Sequence, residues 1–153
     1  MNTKLLLEDS PRNKIRWVNL TDFENLCFGF AKAHLDFTDQ PIPDFITRNP
    51  GVLESCLETP FQNFGGIDPH PRFIDKLSLL FYLLVKNHPF RNGNKRIAVM
   101  TLFVILFLNG LWLKTSELSP YKLAISVAIS KRDERDKVIK RISRFISKYC
   151  TEV

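Results

Sequence analysis

The sequence predicts a mainly α-helical bundle with one short, hairpin-like flap. Residues 72–87 and 97–108 are strongly apolar, as expected of two helices that are buried on more than one face. Residues 138–149 repeat apolar side chains at the spacing of one stripe on an amphipathic helix. Outside residues 61–72, no segment shows the regular alternation of apolar and polar residues that is typical of a half-buried strand.

The composition indicates one soluble globular domain that spans residues 1–153. The chain has 153 residues, of which 44% are hydrophobic, enough to bury one substantial core. The 25% of charged residues and the mean hydropathy of -0.09 exclude a disordered chain. The net charge of +6 favours phosphate-bearing or acidic partners.

The first half of the chain divides into helices and loops in order. Residues 20–35 repeat apolar side chains at helical spacing after Thr21 or Asp22, either of which can cap the start of a helix. Residues 38–51 contain three prolines, so we expect a loop. Residues 51–60 then predict a short amphipathic helix that ends at its proline.

The remaining segments follow the same logic. Residues 61–72 contain two glycines and two prolines beside aromatic side chains, and we expect the flap there. Gly110 is the expected stop of the helix that includes residues 97–108. Residues 116–130 and 135–149 predict two further helices, and residues 1–16 a peripheral arm.

The cysteines and the apolar runs favour the cytoplasm. Cys27, Cys56 and Cys150 have no metal-binding spacing, and their odd number leaves at least one free thiol. The apolar run of residues 97–108 is shorter than the roughly 20 residues that a membrane span needs. We therefore expect reduced thiols, no membrane partner and a cytoplasmic protein.

The link between the two most apolar helices, "HPFRNGNKR", has the chemistry of a phosphate site. Gly93 allows a tight turn, and the residues after it open a helix whose unpaired N–H groups attract anions. Lys95 and Arg96 add cationic donors that suit phosphate oxygens. Asn94 can donate from its amide or accept at the helix cap.

His88 lies at the other end of this link, where a neutral imidazole can accept a proton from an attacking hydroxyl. Phe90, between polar neighbours, is expected to anchor the link in the core. A base beside a phosphate cradle is the minimum apparatus for transferring a phosphoryl or nucleotidyl group to a protein hydroxyl. The alternative is a plain helix–helix turn with solvated cations.

This motif resembles the Fic/Doc signature, H-x-F-x-[D/E]-G-N-[G/K]-R, and is closest to the death-on-curing (Doc) branch, which carries "NKR". The flanking segments "LESCLETPFQNFGG", "FIDKLSLLFYLLVKNHPF" and "RIAVMTLFVILFLNGLWL" also look like that branch. The match is strongest over residues 50–118 and weak over the first 49. It implies the Fic/Doc helical fold.

The resemblance also implies a role for each matching residue. His88 would be the base that activates a target hydroxyl, and Phe90 the anchor of the loop. Gly93, Asn94, Lys95 and Arg96 would bind the phosphates of ATP, the expected co-substrate. The flap that aligns the target segment would consist of Phe61, Gln62, Asn63, Phe64, Gly65 and Gly66.

Two departures from the family pattern shape the expected chemistry. Members that transfer AMP have glycine in place of Lys95 and a second arginine in place of Val99, so γ-phosphate transfer is favoured here over AMP transfer. Asn92 stands where the family usually has an acidic ligand for Mg²⁺, and its neutral amide oxygen is a weaker ligand. We expect weak metal binding at Asn92, with Mg²⁺ held mostly by the ATP phosphates.

The resemblance further implies a toxin with a separate partner. Fic proteins often carry an inhibitory helix, [S/T]-x-x-x-E-[G/N], but the one matching pair, Glu24–Asn25, has Leu20 where Ser or Thr is needed. We therefore expect a separate antitoxin, Phd-like or other, that folds over the basic cleft. The expected target is a Ser/Thr hydroxyl on a protein of the translation machinery, with elongation factor Tu as the first candidate.

Other candidate sites have weaker patterns. His34 and His70 have no partnered motif, and we interpret both as surface or loop histidines. Residues 131–148 hold eight Lys/Arg and three Asp/Glu, but an apolar stripe interrupts them, which favours a solvated helix face over a nucleic-acid site. Two alternatives to the Doc-like kinase stay open: a Fic-type adenylyltransferase, and a catalytically impaired module that binds nucleotide or protein.

Overall fold

The computed structural model describes residues 15–116 and 118–153, and most of the expected arm at residues 1–16 lies outside them. Six helices form the described fold. α1 spans residues 20–35 and combines Leu20–Asp22, a π-helical stretch Phe23–Phe28 and Gly29–Leu35. The others are α2 (Val52–Glu58), α3 (Phe73–Lys86), α4 (Asn94–Leu108), α5 (Leu118–Ile129) and α6 (Arg135–Tyr149).

α3 is the central helix, and α2, α4, α5 and α6 all contact it. Every residue of α3 except Asp75 and Lys86 is buried. Each fully buried leucine or phenylalanine there stabilises the fold by about 1.5–3 kcal/mol relative to an exposed side chain. The mainly α-helical bundle predicted from the sequence is confirmed. No helix in residues 15–116 or 118–153 is long and apolar enough to cross a membrane.

A small two-stranded sheet closes one end of the bundle, and the sequence did not predict it. β1 (Leu111–Leu113) pairs antiparallel with β2 (Cys150–Glu152), and Trp112 lies opposite Thr151. The predicted stop at Gly110 is confirmed, since this residue has a φ of 76° after the end of α4. With three residues in each strand, the alternation was too short to stand out from a loop.

The start of α1 also differs from the prediction. Asn19, rather than Thr21 or Asp22, caps the helix, and its side-chain oxygen accepts a hydrogen bond of 2.8 Å from the N–H of Asp22. The carboxylate of Asp22 accepts in return from the N–H of Asn19, at 3.4 Å. Asp22 is therefore the third residue of a capping box, and its charge favours the positive end of the helix.

The predicted flap is a tight turn at the start of α3. Its hairpin consists of one antiparallel bridge, in which the N–H of Phe64 donates to the Ile67 carbonyl at 2.9 Å and the N–H of Ile67 donates back at 3.1 Å. The buried ammonium of Lys76 secures both ends of the turn by hydrogen bonds to the carbonyls of Pro60 and His70.

Candidate active site

The loop between α3 and α4 turns at Gly93, which caps the start of α4 with φ 81°. A Cβ atom added here would lie 3.0 Å from Cγ1 of Ile42 and 3.4 Å from Nη2 of Arg96. Both the left-handed backbone and the close approach therefore require glycine. The loop takes its shape from this residue.

The first turn of α4 presents backbone N–H groups to a cleft of about 230 Å³, which we call the motif cleft. Residues 92–96 line one side of this cleft, and Phe37, Gln40, Tyr121 and Ile125 also line it. The first N–H groups of a helix lack partners within the helix, and the helix dipole is positive at this end. The motif cleft thus has the electrostatics of an anion site.

Arg96 and Lys95 bring two cations to the motif cleft in different ways. Arg96 is only 8% exposed, and its Nη1 donates a hydrogen bond of 2.7 Å to the carbonyl of Leu35. Its guanidinium also lies 5.4 Å from the centre of the Phe37 ring. Because Leu35 takes one of five donors, this fixed guanidinium retains others for a phosphate. Lys95 is exposed.

Asn94 acts on the loop itself through its side chain. Its oxygen accepts from the N–H of Phe90 at 2.9 Å, and its amide nitrogen donates to the carbonyl of Phe90 at 2.7 Å. The ring of Phe90 is 1% exposed and lies 5.3 Å from that of Phe28, centre to centre. The sequence prediction assigned Asn94 to phosphate binding, and with the side chain engaged in this clamp its backbone N–H is the donor that suits an anion.

The imidazole of His88 lies beside this clamp, with Nδ1 3.4 Å from the side-chain nitrogen of Asn94. His88 is exposed and has a φ of 48°, in the left-handed region. Its carbonyl accepts a hydrogen bond of 2.8 Å from the side-chain amide of Asn49. The N–H of Asn49 also donates to the carbonyl of Pro89, at 2.9 Å. Two hydrogen bonds thus hold the histidine backbone in an uncommon conformation.

His88 lines a second cleft of about 450 Å³, which we call the histidine cleft. Its other lining residues are Pro50, Gly51, Val52, Ser55, Lys86, Asn87 and Arg132. The motif cleft and the histidine cleft share no lining residue. The contact between Asn94 and His88 therefore connects the wall of one cleft with the wall of the other.

Asn92, at the position where the family pattern usually has an acidic metal ligand, forms a hydrogen bond within the protein. Its side-chain nitrogen donates a hydrogen bond of 3.2 Å to the carbonyl of Pro41, which ties the loop to residues 36–42. Among the described residues, no group of three or more His, Cys, Asp or Glu side chains could hold a metal ion. Asn92 itself offers one neutral oxygen, a weaker ligand for Mg²⁺ than a carboxylate.

The segment before residue 42 contributes to the site, although sequence reasoning saw it only as a loop. Phe37 and Gln40 form an isolated antiparallel bridge, and both residues line the motif cleft. Tyr121 approaches from α5, and burial raises the pKa of its phenol while the charge of Arg96 partly opposes this shift. The phenol therefore stays protonated at neutral pH and can donate a hydrogen bond.

Residues 61–66 are not brought to this site. They lie before α3, whereas His88 follows the end of α3, and 14 helical residues span about 21 Å. None of the six lines the motif cleft or the histidine cleft. The bend that borders the motif cleft is instead the one at Phe37 and Gln40. Of the other two histidines, His34 is exposed on α1, and partial burial lowers the pKa of His70 near the turn.

The fold and the site together define the class of protein: a helical domain in which a histidine lies beside a helix start with the electrostatics of an anion site. A model of the Fic/DOC family matches residues 29–106, just over half of the chain, and the protein belongs to this family. The match begins earlier and ends earlier than the residues 50–118 predicted from the motif and its flanks.

A curated relative narrows the comparison. Toxin Doc of Mycolicibacterium smegmatis (strain ATCC 700084 / mc(2)155) is 35% identical over 66 residues, which are 43% of this chain and 51% of that protein. The chain therefore matches about half the length of this relative. No solved structure matches the chain.

Proposed function

We propose that the protein is the toxin of a toxin–antitoxin pair and that it transfers the γ-phosphate of ATP to a Ser or Thr hydroxyl of a target protein. The observation that carries this proposal is the contact of 3.4 Å between Nδ1 of His88 and the side chain of Asn94, at the start of α4. It brings a proton acceptor next to an anion-binding helix start. Family membership and the resemblance to a Doc toxin support the same reading.

In the proposed step, the terminal phosphate of ATP occupies the motif cleft. The N–H groups at the start of α4 and the guanidinium of Arg96 bind its oxygens, and Lys95 adds a mobile charge. The acceptor oxygen attacks the γ-phosphorus, and the bond from that phosphorus to the bridging oxygen breaks, so that ADP leaves. The hydroxyl proton passes to the imidazole of His88.

Two observations favour γ-phosphate transfer over AMP transfer. Lys95 is exposed at the motif cleft, where its side chain occupies space that a glycine would leave open for the nucleotide. Val99 is 3% exposed and packs in the core, so this position offers no second cation to the nucleotide. Phosphate transfer is therefore our primary assignment, and adenylyl transfer is the outcome that the experiment below separates from it.

The proposal extends to metal, partners and location by family resemblance. Mg²⁺ would enter with ATP, held by the phosphate oxygens, since Asn92 offers only one neutral ligand. The antitoxin would be a separate chain, Phd-like or other, that covers the motif cleft with its Lys95 and Arg96. The target would belong to the translation machinery, with elongation factor Tu as the first candidate, and the transfer would take place in the cytoplasm.

One observation favours a second candidate function, a module that binds nucleotide without turning it over. The amide of Asn92 donates to Pro41, a hydrogen bond that a carboxylate in the same position cannot make. If this bond replaces a metal ligand, ATP binds but no phosphate is transferred. Restored turnover in Asn92→Asp, in a protein that binds Mg-ATP with little turnover, would support this second function.

The test uses purified protein, a cell extract and ATP labelled either at the γ- or at the α-phosphate. We expect γ-label on a protein band and no α-label. Label from α-labelled ATP would assign adenylyl transfer instead. If neither label is transferred while calorimetry detects Mg-ATP binding, the kinase proposal is wrong and the binding module is favoured.

A further inference from the structure

We propose that the histidine cleft binds the acceptor segment of the target protein and selects a Ser or Thr with an acidic side chain nearby. This inference rests on the proposed transfer reaction and adds the route by which the acceptor reaches it. It also assigns a substrate class to a surface that lies outside the HPFRNGNKR motif, apart from His88 itself.

The separation of the two clefts is the first argument. His88 lines the histidine cleft and not the motif cleft, whereas residues 92–96 line only the motif cleft. In phosphate transfer, the attacking and leaving oxygens lie roughly in line on opposite sides of the phosphorus. A nucleotide in the motif cleft and a hydroxyl in the histidine cleft would approach the phosphorus from different sides, with the base at the contact between the two clefts.

The charge of the histidine cleft is the second argument. Lys86 and Arg132 both line it, and none of its lining residues is acidic. The ammonium of Lys86 is held by the carbonyls of Ala128 and Ser130, so its position is fixed. Arg132 is exposed, and a guanidinium binds a carboxylate through two parallel hydrogen bonds. An acidic side chain close to the acceptor hydroxyl fits this wall.

The charge of the neighbouring surface points the same way. Residues 131–148 carry eight Lys/Arg and three Asp/Glu, an excess of +5, and all eight basic side chains are exposed. Such a field raises the local concentration of acidic partners and the rate of their encounter. An acidic acceptor segment is thus attracted over a wider area than the cleft alone.

The shape of the cleft leaves room for a peptide. Gly51 and Ser55 are exposed at its edge, and a Cβ atom added to Gly51 would meet no atom within 4 Å. Small side chains at both positions keep this edge low. A bulky residue at Ser55 would fill the cleft without displacing core side chains.

The experiment compares three variants in the extract assay with γ-labelled ATP. Arg132→Glu reverses the charge of the wall, Ser55→Trp fills the cleft, and Lys114→Glu is the control, an equal charge change on an exposed residue outside residues 131–148 that lines neither cleft. We expect Arg132→Glu and Ser55→Trp to lower the initial rate of labelling about tenfold. The KM for ATP should stay within twofold, and Lys114→Glu should match the wild type.

Mapping the labelled residue completes the test. We expect Asp or Glu within about three residues of the modified Ser or Thr, because three residues of extended chain span roughly 10 Å. If Arg132→Glu labels as fast as Lys114→Glu, or if the modified site has no acidic neighbour, the acceptor inference is wrong although the transfer reaction stands.

A binding arm keeps the two proposals distinguishable. Ser-containing peptides with a photo-crosslinking residue and either Asp or Lys neighbours are irradiated with the wild-type protein and with Ser55→Trp. Crosslinks from the Asp peptides to residues 50–55 or 132 that Ser55→Trp removes would support the cleft even if no phosphate is transferred. Equal crosslinking of Asp and Lys peptides would overturn the charge selection.

Discussion

The side-chain amide of Asn49 donates a hydrogen bond of 2.8 Å to the carbonyl oxygen of His88, 39 positions further along the chain. The N–H of Asn49 binds the next carbonyl, that of Pro89, at 2.9 Å. These bonds cross from the loop before α2 to the loop after α3. They hold His88 at a φ of 48°, a conformation that few residues other than glycine adopt.

Replacing Asn49 by Ala should therefore misplace the imidazole without removing it. The loss of one hydrogen bond of about 1 kcal/mol predicts a kcat for transfer roughly fivefold lower, with the KM for ATP unchanged. The measurement is the steady-state rate of labelling at several ATP concentrations. Asn63→Ala, in the turn before α3, is the matched control and should behave like the wild type.

Nuclear magnetic resonance of ring-labelled histidine checks the same prediction without activity. The chain has three histidines. Only the His88 signals should shift in Asn49→Ala, while those of His34 and His70 stay in place. Unchanged His88 signals together with an unchanged kcat would contradict the positioning role of Asn49.

Gly93 and Gly66 allow a matched test of the loop, because each has a φ of 81°. Alanine at either position is strained by about 1–2 kcal/mol. Only at Gly93 would the new Cβ also meet Ile42, at 3.0 Å, whereas at Gly66 no atom lies within 4 Å. Urea unfolding should show the larger loss of stability for Gly93→Ala, which should also weaken ATP binding. Equal losses would contradict the close approach at Ile42.

Among the cations in the described part of the fold, Lys76 should be the one whose removal lowers the stability most. Its side chain is 0% exposed, and its ammonium forms an ion pair of 2.8 Å with Asp68 and donates to two carbonyls. Lys76→Met should lower the free energy of unfolding by about 2–4 kcal/mol, since these acceptors lose a charged donor.

Lys32→Met provides the comparison for Lys76. Its ammonium pairs with Asp36 at 3.9 Å and Asp44 at 3.8 Å and donates to the carbonyl of Ile42, but its side chain is 37% exposed, so we expect a smaller loss, of about 1 kcal/mol. Both variants can be measured by urea unfolding. A loss for Lys76→Met no larger than that for Lys32→Met would show that the buried ammonium does not stabilise the turn.

The three thiols should react slowly in the folded protein. Burial raises the pKa of Cys27 to about 12, and raises those of Cys56 and Cys150 to about 11. Because the thiolate is the reactive form, at pH 8 only a small fraction of each thiol is nucleophilic. Iodoacetamide should therefore alkylate the native protein slowly and all three thiols readily in urea. Fast labelling of one thiol in the native state would contradict this.

The sequence was sufficient for the parts of the fold that depend on local pattern. The apolar runs predicted α3 and α4 as buried helices, and Gly110 predicted the end of α4. Within the motif, glycine at position 93 was a reliable signal, because the left-handed turn and the crowding by Ile42 both act on that residue alone.

The rest depends on contacts between distant segments. Asn49, Phe37 and Tyr121 reach the site only through tertiary packing, and an isolated Asn, Phe or Tyr in the sequence gives no signal of this. Residues 61–66 line neither cleft for a similar reason: the length of α3 separates them from the motif, although they are close to it in the sequence. Asn94 has the expected position, but hydrogen bonds to Phe90 give its side chain another role.

The most direct measurement is the transfer of γ-label by His88→Asn, together with its Kd for ATP. Asparagine tolerates the left-handed backbone of position 88 but cannot accept the hydroxyl proton. If His88 is the base, the labelling rate of His88→Asn should be at least about 100-fold lower than that of the wild type, with the Kd for ATP unchanged. Transfer at the wild-type rate in His88→Asn would contradict the role of His88 as the base.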